Sequence, residues 1–140
     1  MRQELIFYPL FIMVALSFSV GIYGMFMRYR AVVRDGLRLA YFKHNSEASP
    51  PDYMLRTDQN YSNQFELPVL FYAAIMLCFL TSSVDLLSLA LAWLFVISRL
   101  GHSYVHIRFN KVMQRRRYFL FGYFVLLALW FKLVIQLSIR

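Results

Sequence analysis

Four apolar runs constrain this chain more than any other feature: Leu5 to Met27, Leu67 to Thr81, Leu86 to about Tyr104, and Tyr118 to Ile139. A hydrocarbon core of about 30 Å takes about 20 helical residues to cross, and the runs approach that length. Lipid offers no hydrogen bonds, so a spanning segment must satisfy its own backbone groups, which a helix does. The runs predict an all-α integral membrane four-helix bundle, with helices over about 5–27, 60–82, 85–109 and 116–139 of the 140 residues. That leaves no room for a separate soluble domain. A composition 60% hydrophobic and 19% aromatic agrees, since a soluble domain needs a charged surface.

The formal net charge of +8 would suit a nucleic-acid binder, but the cations sit where a membrane protein needs them. Arg28, Arg30, Arg34, Arg38, Lys43 and Arg56 fall between spans one and two, and Arg108, Lys111, Arg115, Arg116 and Arg117 between three and four. The other ends hold Arg2, Arg140 and, between spans two and three, Asp85. Lysine and arginine collect on the cytoplasmic side, so the basic loops are expected inside and both termini outside. Part of this charge is expected to meet anionic lipid heads, not nucleic acid. The single cysteine, Cys78, lies in an apolar span and reads as a packing residue. Span one is longer than a signal-peptide core and lacks a small-residue cleavage site before Arg28, so it is expected to persist in the mature chain.

From Tyr29 to about His44, apolar and basic residues mix as in a helix extension or an interfacial segment. Asn45 to Asp52 collects turn formers and two prolines, so helix is expected to stop there. Pro68, near the start of span two, is expected to bend that helix on the basic side and help open a cleft. Thr81 to Asp85 reads as a tight turn, with Ser83 or Ser82 as the expected cap of span three. So short a turn makes spans two and three antiparallel neighbours.

Ionisable groups inside such spans are costly, at least about 2.5–3.5 kcal/mol at mid-membrane, so they persist where paired, wetted or used. Arg99, His102, His106 and Asn110 recur at offsets of three, four and four, one stripe of the third helix. On the second, Asn60, Asn63 and Glu66 recur every three residues, with Arg56 a turn earlier. Such groups at one depth on adjacent helices suit a small polar anion between them. Glu66 and Arg99 have a plainer reading as an ion pair tying two helices. His102 and His106 lack a third strong metal ligand, and no metal is expected. Asn110 also suits a helix C-terminus, and Lys132 is expected to snorkel outward or meet a partner helix.

The run Asn63-Gln64-Phe65-Glu66-Leu67-Pro68-Val69-Leu70-Phe71-Tyr72, taken with Arg99-Leu100-Gly101-His102-Ser103-Tyr104-Val105-His106, resembles the MAPEG family, the membrane-associated proteins of eicosanoid and glutathione metabolism, and its small bacterial members above all. The resemblance implies a homotrimer of four-helix protomers in a bacterial inner membrane, with glutathione as co-substrate between subunits near the cytoplasmic face. It assigns Asn63 and Glu66 to the glutathione backbone and matches Arg99 and His102 to the third-helix motif. Gln59 stands where characterised members carry an arginine, leaving Arg56 as the nearest substitute, and His106 stands where tyrosine is usual. A thiolate-stabilising arginine is implied among Arg115, Arg116 and Arg117, with Arg115 the first choice.

The implied chemistry is transfer of glutathione or a related thiol to a lipophilic electrophile, or reduction of a lipid hydroperoxide. A guanidinium beside sulfur favours thiolate over thiol. Arg56, Asn60, Asn63, Glu66, Arg99, His102 and His106 would hold the tripeptide, and Arg115 or Arg116 would face its sulfur. The alternative is a non-catalytic bundle on the same scaffold, binding lipid or a partner, with Gln59 and His106 marking lost catalysis. A transporter fits less well, because one polar patch does not make a path across the bilayer.

Overall fold

The computed structural model describes residues 2–44 and 49–139, and the turn-forming run Asn45 to Ala48 lies outside the described residues, as does Arg140. Among those described, every regular element is helical: α1 (Phe7–Val33), α2 (Ala40–His44), α3 (Asp52–Ser62), α4 (Leu67–Leu80), α5 (Leu86–Arg108) and α6 (Val112–Ser138). A 3₁₀ turn, Gln3–Ile6, leads into α1, and another, Asn63–Phe65, joins α3 to α4. Four units are long and apolar enough to cross a bilayer: Gln3–Val33, Asp52–Leu80, Leu86–Arg108 and Val112–Ser138. The chain is an integral, multi-pass membrane protein.

α1 runs past the expected end near Met27, carried through Arg28 and Arg30 to Val33. It stops where Gly36 turns left-handed at φ +68°. The Leu37 N–H reaches back six positions to the Ala31 carbonyl at 3.0 Å, a closure that the left-handed Gly36 permits. Leu37, Ala31 and Met54 then form a small buried cluster that fastens this corner to α3.

The second span is two helices, and it starts earlier than the apolar run suggests. α3 begins at Asp52, directly after Pro51, and is amphipathic rather than apolar, with Met54, Thr57 and Asn60 on its buried side. The break comes at Asn63–Phe65, and Glu66 has φ −96° and ψ −101°, outside helical space. Pro68 therefore sits in the first turn of α4, where its missing N–H costs nothing, and not inside a bent helix. The expected distortion is present, one turn before the proline.

The core lies between α1, α4, α5 and α6, with Phe71 and Phe95 stacked at 4.6 Å between ring centres and Cys78 buried in the same cluster. α5 and α6 are the most extensively packed pair. Gly122 and Gly101 allow that approach: a Cβ on Gly122 would strike Ser98 Oγ, and one on Gly101 would lie 2.6 Å from the Tyr118 ring. α4 and α5 are joined by the short turn and share the Phe71–Phe95 stack, but the second span contacts the third chiefly through α3.

At the end away from the basic loops, Asp85 and neither Ser82 nor Ser83 caps α5, accepting the Ser88 N–H at 2.8 Å. Ser82 is excluded by geometry, since its φ of +51° places it in the turn itself. Lys132 turns inward to this cap, donating to the Ser83 carbonyl at 2.9 Å and to Ser88 Oγ at 2.6 Å, with Asp85 Oδ2 at 2.9 Å. Partial burial alone would raise the Asp85 carboxyl. The Ser88 N–H, the Lys132 ammonium and the Ser88 hydroxyl outweigh it and hold the group at about 2.

Candidate functional site

The break in the second span turns Asn63 and Glu66 toward the basic end of the bundle, facing α5 and the start of α6. A cavity of about 980 Å³ opens there, with Asn63, Glu66, His102, His106, Arg115 and Arg116 among its walls. Phe119 and Val112 supply apolar surface, and Arg28, Asp58, Gln59 and Ser62 complete its polar side. Six residues singled out from sequence thus share one chamber, contributed by three helical spans.

Arg99 stands behind the wall. It is fully buried, its Nη2 donates to the Asn63 carbonyl at 3.0 Å, and its guanidinium lies 5.8 Å from the Phe119 ring centre. The carbonyl it holds belongs to the broken turn, where helical donors are lost, so Arg99 satisfies the break and sets its shape. Its Nε and Nη1 have no hydrogen-bond partner among the described residues. Glu66 is exposed on the single chain and makes no ion pair with Arg99 among the described residues, so the plain pairing of these two is not the arrangement found.

The two imidazoles have assigned tautomers. His102 Nδ1 lies 3.1 Å from the Arg115 carbonyl, which only accepts, so Nδ1 carries the proton and Nε2 accepts from Asn63 Nδ2 at 3.4 Å. His106 Nε2 lies 2.5 Å from Arg115 Nη1, which only donates, so here too the proton sits on Nδ1. Arg115 also donates to Asn110 Oδ1 at 3.2 Å, and Asn110 is left-handed at φ +49°, ending α5 as its residue type allows. Arg115 is thereby fixed by two side chains at the entrance to α6, whereas Arg116 faces the cavity without such a clamp among the described residues. Arg117 points elsewhere, into a separate groove with Val105, Gln114, Tyr118 and Phe121.

Arg56 and Asn60 do not reach the cavity wall. Arg56 pairs with Asp52 one turn earlier on α3. Asn60 is fully buried, and neither polar atom of its side chain has a partner among the described residues. Beside it, Gln64 donates to the Asn60 carbonyl and to Ser103 Oγ, each at 3.2 Å, which locks α3 against α5.

The residues that sequence reasoning missed are Arg28 and Asp58, joined at 3.0 Å across α1 and α3. Their separation of 30 positions leaves no local signal for the pair. Asp58, Ser62 and Glu66 do recur every four residues, and that spacing would have placed them on one face had α3 been started at Asp52.

No curated protein and no solved structure matches the chain. A family model does, that of the MAPEG family, over residues 6–135, which reaches into all four spans and takes in every wall of the cavity. The chain belongs to the MAPEG family.

Proposed function

We propose that the cavity at the basic end binds glutathione or a related thiol and presents it to a lipophilic electrophile or hydroperoxide reaching it through the bilayer. The carrying observation is the convergence of Asn63, Glu66, His102, Arg115 and Arg116 on one chamber of about 980 Å³. That size is near the upper end for small-molecule sites, at about 300–1,000 Å³, and a tripeptide needs such room. Asn63 and Glu66 would take the amides and amine of the ligand. Arg99 acts by holding the Asn63 carbonyl, and His102 by fixing the Asn63 amide.

Arg115 or Arg116 would stabilise the thiolate, releasing the thiol proton to solvent at the basic face. In conjugation the thiolate forms a carbon–sulfur bond as the leaving bond breaks, and an oxygen leaving group takes up a proton. In peroxide reduction two thiols are oxidised to one disulfide while the peroxide becomes an alcohol and water. Catalysis in either case is positioning and electrostatics.

Assembly of this chain as a homotrimer is part of the same proposal, with a neighbouring copy closing the open side of the chamber that Glu66 lines. The basic face is proposed to be cytoplasmic, as in a bacterial inner membrane.

Mixing purified protein in detergent with glutathione and following thiolate absorbance tests the reading. Arg115→Ala and Arg116→Ala are compared separately, and the complex mass is measured in parallel. The expected result is a thiolate signal lost in one of the two variants. No signal, and no thermal stabilisation by millimolar glutathione, removes the enzyme reading and leaves a non-catalytic lipid- or partner-binding bundle.

A further inference from the structure

Of the three consecutive arginines that open α6, Arg117 is the one the chamber does not use. It lies in a separate groove of about 440 Å³ on another face of the α5–α6 hairpin, with Val105, Gln114, Tyr118 and Phe121. Gln114, Arg117, Tyr118 and Phe121 follow one another at helical spacing and form a single exposed stripe of α6, while the buried Val105 of α5 supplies the floor. Arg117 makes no ion pair among the described residues, and no carboxylate lines the groove, so the lining carries one unopposed positive charge. Polarity is graded along the stripe: at a rise of about 1.5 Å per residue, Arg117 stands about 6 Å from Phe121 toward the basic end and Gln114 about 4.5 Å farther. Gly101 lets the edge of the Tyr118 ring lie against α5, where a Cβ would come within 2.6 Å of Cε1.

We infer that this groove holds one anionic phospholipid by its phosphodiester, with the head on Arg117 and Gln114 and the glycerol end of the chains along Tyr118 and Phe121. The order of groups selects a lipid already seated in the leaflet. An amide and a guanidinium at the basic end give way to a tyrosine, which suits headgroup depth, and then to a phenylalanine facing the bilayer, the order of head, glycerol and chain. The guanidinium fork matches two phosphate oxygens, and with no partner of its own it displaces nothing to take them. Charge selects the head. One phosphodiester balances the single cation, as in phosphatidylglycerol, whereas a choline or ethanolamine head brings an ammonium for which the groove has no carboxylate. A cavity of about 440 Å³ takes a head and glycerol backbone, with the chains running on into the bilayer. Such a seat differs from the diffuse attraction of the basic loops to anionic lipid because it saturates at one lipid per protomer. It is independent of the thiol-site reading.

The test uses full-length protein in detergent, stripped of lipid and titrated with phosphatidylglycerol or phosphatidylcholine, with lipid adducts and complex mass read together by native mass spectrometry. Phosphatidylglycerol is expected to saturate a first site at one adduct per protomer and to bind there about fivefold more tightly than phosphatidylcholine, the weight of one basic residue at a lipid surface. Arg117→Gln should remove that preference and leave phosphatidylcholine binding as it was, a selective loss that misfolding cannot imitate. Lys111→Gln removes an equal charge at the same end but outside the groove, and the preference should survive it. Equal binding of the two lipids, a preference that persists in Arg117→Gln, or an equal fall in Lys111→Gln would overturn the inference. Displacement of the lipid by inorganic phosphate at equal concentration would assign the groove to a free anion, and a changed complex mass in Arg117→Gln would assign it to contact between copies. Either result overturns it as well.

Discussion

Lys132 reaches from the fourth span to the cap of the third, its Nζ 2.9 Å from Asp85 Oδ2. The ammonium also satisfies the Ser83 carbonyl and the Ser88 hydroxyl, so it ties a turn and two spans at one point. Lys132→Met is expected to lower stability by about 1–3 kcal/mol, because both acceptors lose a charged donor in a partly buried place. Asp85→Asn keeps a capping oxygen and should cost less, below about 1 kcal/mol, as the lost pair is half exposed. Thermal unfolding in detergent decides; equal losses would assign the effect to the ion pair.

The same carboxyl predicts an acid limit. Its folded value of about 2 lies below the ordinary 3.8, so the contribution is complete above pH 3.8 and is lost as pH falls toward 2. Unfolding midpoints of wild type and Asp85→Asn should therefore converge over that interval. Salt should shrink the gap at neutral pH, since Asp85 is 49% exposed. A gap that persists below pH 2 would contradict this assignment.

Gly122→Ala and Gly101→Ala should differ although both lie where α5 meets α6. The first drives a methyl group against Ser98, which is buried and bonded to the Phe95 carbonyl at 2.6 Å, and about 1–3 kcal/mol should be lost. The second meets the ring of Tyr118, which is 40% exposed and can swing aside, so the loss should stay below about 1 kcal/mol. Reversal of that order in thermal unfolding would show that the hairpin packs differently.

The histidine tautomers are open to direct observation. Nitrogen chemical shifts of labelled protein at neutral pH should report both His102 and His106 protonated on Nδ1 and accepting at Nε2. Arg115→Ala should alter the His106 signal strongly. The His102 signal should change less, because its partner there is a backbone carbonyl that the substitution leaves in place. An Nε2-protonated His106 would refute the Arg115 contact.

Asn60 invites an opposite kind of substitution. Its buried amide has no partner among the described residues, so Asn60→Leu removes no bond and should leave stability unchanged or raise it by up to about 1 kcal/mol. Since Asn60 lies off the cavity wall, glutathione-induced thermal stabilisation should be unaffected. A loss of that stabilisation would return Asn60 to the ligand.

Hydropathy made the four spans legible, because length and apolarity alone decide what a bilayer admits. It misplaced the start of the second span, since Asp52 to Ser62 is a helix held by packing on α1 and by the Asp52–Arg56 pair and carries little apolar signal. Residue periodicity found His102 and His106, which share one face of α5, whereas Asn63 and Glu66 reach the same chamber through the break in the second span and not through a common helix face. It could not find Arg28 with Asp58, or Lys132 with Asp85, whose meeting depends on how separate helices pack. Arg115, Arg116 and Arg117 look alike in sequence. Helical geometry separates them, turning the first two into the chamber and the third onto another face.

The discontinuity at Asn63–Phe65 gives the second span two independent rods, and they are fastened unequally. α4 is embedded in the aromatic core, whereas α3 is held by the small Ala31–Leu37–Met54 cluster and by the Arg28–Asp58 pair. Warming should loosen the lower rod first, and any molecule that bridges Glu66 to the third span would act as a splint across the joint. Amide exchange in α3, faster than in α4 and slowed by an occupant of the chamber, would be the signature of that compliance.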